Sequence, residues 1–274
     1  MLRAYSILAY LFLYGPIALI VVFSFNSGLS AADFQGFSLK WYVKVAGNEL
    51  MLAALKTSFI VAFTSAALAT IMGTMAALAL QRVTGAVRTL FDALIYIAIM
   101  VPGIVIGIAT LIALVTTFDA VNTVLAQLWP GDAPPRLGMG YGSIIPAHTL
   151  FSMALVVVIV RARIAGMDRS LIEASMDLYA DPWGTFRQVT LPQLAPAILA
   201  GFLLSFTFSF DDYIIASFVN GSTTTLPLFI FNSIRRGLTP EVNAIATVVM
   251  ASSLVLLTGA QLLLRRGAAQ RRPA

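Results

Sequence analysis

The sequence of 274 residues has no cysteine and a single histidine. Without cysteine there is no disulfide, thiolate metal site or cysteine nucleophile, and the redox compartment stays open. With His148 alone, a metal site built on a histidine pair is excluded, and the residue is expected to pack helices rather than move protons. Lysine is nearly absent too. Of Lys40, Lys44 and Lys56, only Lys56 precedes a serine or threonine, and it follows Leu55, so the phosphate loop G-x-x-x-x-G-K-[ST] is missing. Neither G-x-S-x-G nor H-E-x-x-H occurs, and no catalytic residue, metal site or cofactor is assigned to this chain.

Charge is the scarcest property of all. Charged residues make up 11% of the chain and hydrophobic ones 59%, with a mean hydropathy of +0.91. An ordinary soluble domain is about a quarter charged, so this chain belongs in a bilayer. Six apolar runs approach or exceed the length of about 20 helical residues that a membrane core requires: 6–25, 52–80, 90–117, 143–160, 194–218 and 242–264. The expectation is an all-α integral membrane protein with one transmembrane domain, 1–264, and a short basic tail, 265–274, without packed structure. Arginines cluster at 82 and 88, at 161, 163, 169 and 187, and at 265, 266, 271 and 272. Positive residues collect on the cytoplasmic side, which puts both termini in the cytoplasm. The net charge of +5 and pI near 9.7 suit anionic lipid headgroups and require no nucleic acid.

Turn residues punctuate the loops at Asn26-Ser27-Gly28, from Trp129 to Pro135, and at Gly221-Ser222. Within the third run Gly103 and Gly107 form G-x-x-x-G, which admits close approach of another helix. Pro102 before them loosens the helix, as a packing kink or a gate.

A polar insert, about 163–192, separates the fourth and fifth runs. Ser170-Leu-Ile-Glu173 has the spacing of a capping box, and Asp181-Pro182 has the N-cap and first-turn signature of a second helix. Two short helices broken near Ala180 are expected, with Leu171, Ala174 and Leu178 on one face of the first. On this pattern alone the insert is a hairpin in the headgroup layer or a handle for a partner.

Asp211-Asp212 interrupts the fifth run. Carboxylates inside a membrane are costly and are functional candidates by default. On a helix starting at Pro192, Asp211 lies roughly 29 Å along the axis, near the outer boundary, so helix-end charges are the competing reading. Phe210 and Tyr213 flank the pair with rings that attract ammonium groups. Arg235 and Arg236 fall outside the cytoplasm in the six-span arrangement, as solvated charges or as a dock for an acidic partner.

The spacing within the insert is more specific than its amphipathicity. Glu173-Ala174-Ser175, an aliphatic Val189 sixteen positions after the glutamate, and Leu191-Pro192 resemble the EAA motif of ABC importer permeases. Tyr179 stands where that motif has glycine. Phe25-Asn26-Ser27, the stretch from Gly36 to Tyr42, Ala147-His148-Thr149, the stretch from Leu204 to Asp212, Thr225-Leu226-Pro227 and Thr239 to Ala244 are similar to the second permease of spermidine/putrescine importers. The resemblance implies a type I ABC importer fold with six transmembrane helices and a coupling-helix loop between spans 4 and 5. It also implies a bacterial inner membrane location, a second homologous permease, two ATPase subunits that use ATP and Mg, and an extracytoplasmic binding protein. Ser170, Glu173, Ala174, Asp181, Pro182, Leu191 and Pro192 would form the coupling loop, and Phe210, Asp211, Asp212 and Tyr213 the cation path. Related permeases for aminoalkylphosphonates, opines or ferric iron have similar sequences, and Gly103 stands where polyamine members often carry an acidic residue. A stand-alone channel or ion-coupled carrier is the alternative of another class, since broken helices and intramembrane carboxylates suit it too.

Overall fold

The computed structural model describes residues 2–30, 33–131, 133–237 and 239–269, and these form helices with one isolated bridge, Asn26 to Phe37. In chain order the helices are α1 Leu2–Ser24, α2 Lys40–Ala46, α3 Glu49–Ala79, α4 Gly85–Met100, α5 Gly103–Leu128, α6 Tyr141–Ala165, α7 Ser170–Asp177, α8 Pro182–Thr185, α9 Leu191–Asp211, α10 Ile214–Val219, α11 Leu226–Arg236 and α12 Pro240–Ala269. Among the described residues five helical stretches are long and apolar enough to cross a membrane: Tyr5–Ser24, α3, α5, α6 and Pro182–Asp211. In α12 the described apolar part is Pro240–Val255.

The third and fifth apolar runs are each two helices rather than one. Between α4 and α5, Val101 (ψ 131°) and Pro102 (φ −57°, ψ 138°) leave the helical region. Proline disfavours helical geometry in the residue before it. Its carbonyl then accepts the first N–H groups of α5, from Val105 and Ile106. The kink is therefore a full break, and the crossing helix begins at Gly103. In the fifth run α9 ends at Asp211, Asp212 is extended, and α10 follows. The basic tail also departs from expectation, because α12 continues to Ala269, as good helix formers such as leucine, arginine and alanine permit. Residues 270–274, including Arg271 and Arg272, lie outside the described residues.

Two compact units divide the chain, one formed by 1–56 and 226–274, the other by 57–225. In the first, α12 packs on α1, α2 and α11. The loop after α1 closes around Asn26, which is fully buried. Its side-chain oxygen accepts the Gly28 and Gln35 N–H groups, and its amide donates to the Ser30 and Asp33 carbonyls. Trp41 Nε1 donates to the Asn26 carbonyl at 2.8 Å, and Phe25 stacks on Phe37. Lys44 pairs with Glu241 at 2.7 Å and so ties α2 to α12.

In the second unit α6 is the central helix, buried along most of its length and packed most extensively on α9. A Cβ at Gly73 of α3 would lie 2.8 Å from Val156, and one at Gly201 of α9 would lie 3.4 Å from it, so both helices close on α6 at that layer. The G-x-x-x-G of α5 is filled from the same unit. A Cβ at Gly107 would come within 2.6 Å of the Phe218 ring, and one at Gly103 would sit 3.7 Å from Ile214. The two glycines thus admit α10 against α5. At the far end of the unit Arg161 of α6 bonds Asp92 of α4, which Arg88 also approaches at 3.8 Å.

Candidate functional site

The carboxylate pair sits at the α9–α10 break, where the chain turns and the two side chains part. Asp211 is exposed and Asp212 half-buried. Two cavities meet around them. One, of about 440 Å³, is lined by Thr207, Phe208, Asp211, Asp212, Tyr213 and Ile214. The other, of about 270 Å³, reaches inward past Asp212 to His148, Phe151, Ser152 and Ser209, with Val101 and Gly103 of the α4–α5 break on its wall. Asp212, Phe208 and Ile214 are common to both.

Asp212 is anchored on one oxygen. Oδ2 accepts the Ala216 N–H at 2.9 Å, which caps the first turn of α10. The same oxygen lies 3.3 Å from His148 Nε2, without the alignment of a hydrogen bond. His148, 2% exposed, is held from behind, since its Nδ1 is 2.7 Å from Ser209 Oγ, which is in turn 2.8 Å from Ser65 Oγ. Side chains of α3, α6 and α9 thus form one buried polar chain ending at Asp212. One turn deeper, Ser152 of α6 and Ser205 of α9 are buried with unpartnered hydroxyls. They lie four residues from His148 and Ser209 respectively, on the faces that meet.

The four residues expected on the cation path are not placed alike. Phe210 is buried and stacks on Phe206 at 5.8 Å, so it belongs to a ladder of phenylalanines and not to either cavity. The ring that faces them is Phe208, edge-on to Phe151 at 6.0 Å. Asp211 and Tyr213 line the outer cavity only. The pair stands at the end of α9, and Asp212 also borders both cavities. Sequence reasoning missed Ser209, Ser152, Phe151 and Phe208 and gave His148 packing alone. The available signal was polar residues four apart inside apolar helices: 148 and 152 in α6, 205 and 209 in α9.

The handle is two short helices, as the spacing predicts, with a different first cap. Ser170 is already helical and makes no side-chain capping bond, and the capping box with Glu173 does not form. Asp168 Oδ1 takes the Ser170 N–H at 2.9 Å instead, because a carboxylate is the stronger acceptor at a helix N-terminus. Bonding from the Ser170 side chain and then its backbone holds the Asp168 carboxyl below its ordinary pKa. The second cap is as expected: Asp181 accepts from Gly184 N–H at 3.2 Å, with Pro182 in the first turn.

Between them α7 closes with a Schellman turn. Ala180 N–H donates to the Ser175 carbonyl and Tyr179 N–H to that of Met176. Tyr179 occupies the left-handed position at φ 58°, alone among the described non-glycine residues, so the turn keeps the geometry glycine would give. Ser175 of α7 bonds Thr185 of α8 at 3.0 Å and Trp183 packs on Phe186. Leu171, Glu173, Ala174, Met176, Leu178 and Tyr179 remain exposed. From Phe186 to Thr190 the chain makes a π-helical turn into α9, closed by Leu191 N–H on the Phe186 carbonyl, with Pro192 in the first turn of α9.

Arg235 and Arg236 end α11, exposed. Arg235 lies over the Phe231 ring at 5.9 Å, and Arg236 Nε donates to the Asn232 carbonyl. Among the described residues no cluster of three metal-ligating side chains occurs.

Residues 69–269 match the family described as "Binding-protein-dependent transport system inner membrane component". The chain is 37% identical over 249 residues to the putrescine transport system permease protein PotI of Escherichia coli K12, covering 90% of this chain and 84% of that protein. It is 35% identical over 265 residues to the spermidine/putrescine transport system permease protein PotC of Haemophilus influenzae, covering 96% of each. In fold it resembles a chain of a bacterial ABC transporter involved in the import of the acidic polysaccharide alginate. There the TM-score is 0.75 at 17% identity, over 97% of this chain and 94% of that one. A chain from an amino acid ABC transporter gives a TM-score of 0.58 at 18% identity, over 85% of this chain and 100% of that one.

Proposed function

Since the chain belongs to the family of inner membrane components of binding-protein-dependent transport systems, we propose that the solute it passes is a polyamine, putrescine or spermidine. The relatives named for those solutes align over most of its length. The structural observation that carries the reading is Asp212, one carboxylate shared by two cavities whose remaining walls are mainly aliphatic and aromatic. An alkylammonium leaving water loses hydration that costs several kcal/mol per charge. Fixed negative charge at Asp212 and Asp211, with the Phe208 and Tyr213 rings beside it, offsets that loss. The methylene chain suits the apolar walls.

The rest of the machinery follows as part of the same proposal. A second homologous permease completes the pore, an extracytoplasmic binding protein delivers the solute, and Arg235 and Arg236 meet an acidic face of it. Of two ATPase subunits, which use ATP and Mg, one grips the exposed apolar face of α7, where Leu171, Leu178 and Tyr179 stand exposed. α12 supplies the sixth crossing, and both termini are cytoplasmic.

The test is uptake of labelled putrescine by the assembled transporter in vesicles, comparing wild type with Asp211→Asn and Asp212→Asn. At least one substitution is expected to cut uptake severely while assembly and the binding protein's own affinity stay normal. Wild-type uptake by the doubly neutralised protein rejects the cation path. Assembly without polyamine uptake in either form rejects the substrate.

A further inference from the structure

We infer that His148 is a positioning residue for Asp212, setting which carboxylate oxygen faces the cavities. The inference rests on the cation-path reading above. Three observations on α3, α6 and α9 carry it. His148 is the one histidine of the sequence and is 2% exposed, a costly place for imidazole unless both nitrogens are engaged. Its Nδ1 is engaged by Ser209 Oγ at 2.7 Å. Its Nε2 is buried with no hydrogen bond, and Asp212 Oδ2 is 3.3 Å away.

The chain of hydroxyls can run in two senses, and its sense sets where the proton sits in the neutral ring. When Ser65 donates to Ser209 and Ser209 donates to Nδ1, the imidazole proton is on Nε2, directed at Asp212. Oδ2 is then fixed by the Ala216 N–H at 2.9 Å and faces Nε2 at 3.3 Å, a contact not aligned as a hydrogen bond. The Ala216 bond and the imidazole contact both fall on Oδ2, which leaves Oδ1 for the cavities that Asp212 lines. The bent contact at Nε2 also leaves the pair unlocked, so an arriving ammonium competes for Asp212 against a weak bond and not a closed ion pair. A residue serving only to fill space between α6 and α9 would need neither nitrogen in these places.

The prediction is that His148 acts through Asp212, and a double-mutant cycle reads it. In vesicles holding the assembled transporter, His148→Leu lowers the maximal uptake of labelled putrescine by about tenfold or more. His148→Gln, which can keep an N–H donor near Asp212, restores a substantial part of it. On an Asp212→Asn background His148→Leu adds no further loss, since the group it positions is gone. The proposal is overturned if the two losses multiply, or if Leu and Gln behave alike while Asp212→Asn alone abolishes uptake. It is equally overturned if His148→Leu transports as wild type. Wild-type uptake by Asp212→Asn rejects the cation path itself, and the inference with it. Should His148→Leu fail to assemble, His148→Gln with Asp212→Asn completes the same comparison.

Discussion

Tyr179 holds a left-handed backbone that costs an L-residue about 1–2 kcal/mol, with its ring almost entirely exposed at 98%. The two Schellman bonds are set against that cost. Tyr179→Gly is therefore expected to tighten the turn, read as slower hydrogen exchange at the amides of Tyr179 and Ala180, while Tyr179→Val is expected to speed it. Asp168 gives the handle a pH dependence of defined sign. Its carboxyl is held below the ordinary value by Ser170, so the stabilisation is fully present above about pH 4, the unfolded aspartate range. It is lost as pH falls through the lowered folded value. Protection of the Ser170 amide should fall over that window in wild type and be flat in Asp168→Asn. The competition that Asp168 wins over Ser170 was not legible in the S-x-x-E spacing, because either residue can cap and only acceptor strength and reach decide. Phe210 is a different case. Residues two apart on a helix point about 200° apart, and periodicity does not say which of Phe208 and Phe210 faces the cavity.

Among the elements, the α5–α10 contact makes a prediction with an internal control. Gly107→Ala drives a methyl into the Phe218 ring, whereas Gly103→Ala meets Ile214 at ordinary contact distance. The first should displace α10 and impair uptake, and the second should leave it near wild type, with equal amounts of both in the membrane. Equal uptake by the two variants removes any role for that contact. The G-x-x-x-G was legible in sequence, but its partner was not, because α10 arises from a helix break that hydropathy reads as one continuous run. The handle was legible as two helices since Asp181-Pro182 is a strong local signal. The polar chain from Ser65 to Asp212 was hidden, since its bonded pairs are separated by up to 144 residues. For the handle as a coupling device, Glu173→Arg is expected to lower co-purification with the ATPase subunits and their stimulated turnover, leaving insertion unchanged. Normal values for both would remove Glu173 from coupling.

On the scale of the molecule, the all-helical architecture was legible in composition, and arginine placement leads us to propose both termini in the cytoplasm. A reporter joined after Arg236 is expected outside the cytoplasm and one after Leu264 inside. A cytoplasmic signal at Arg236 rejects six crossings and the docking role of both arginines. The π-helical turn from Phe186 to Thr190 adds a geometric condition on any force passing between handle and membrane. It inserts one residue into what would otherwise be an uninterrupted α-helical path from α8 to α9, and one residue is about 100° of azimuth and 1.5 Å of rise. The handle is therefore clocked relative to the bundle, and its exposed face points where it does because of that single surplus residue. Deleting Gln188 should let the segment relax to an α-helix and turn the face by that angle, giving a transporter that inserts and folds but whose power stroke is delivered out of phase.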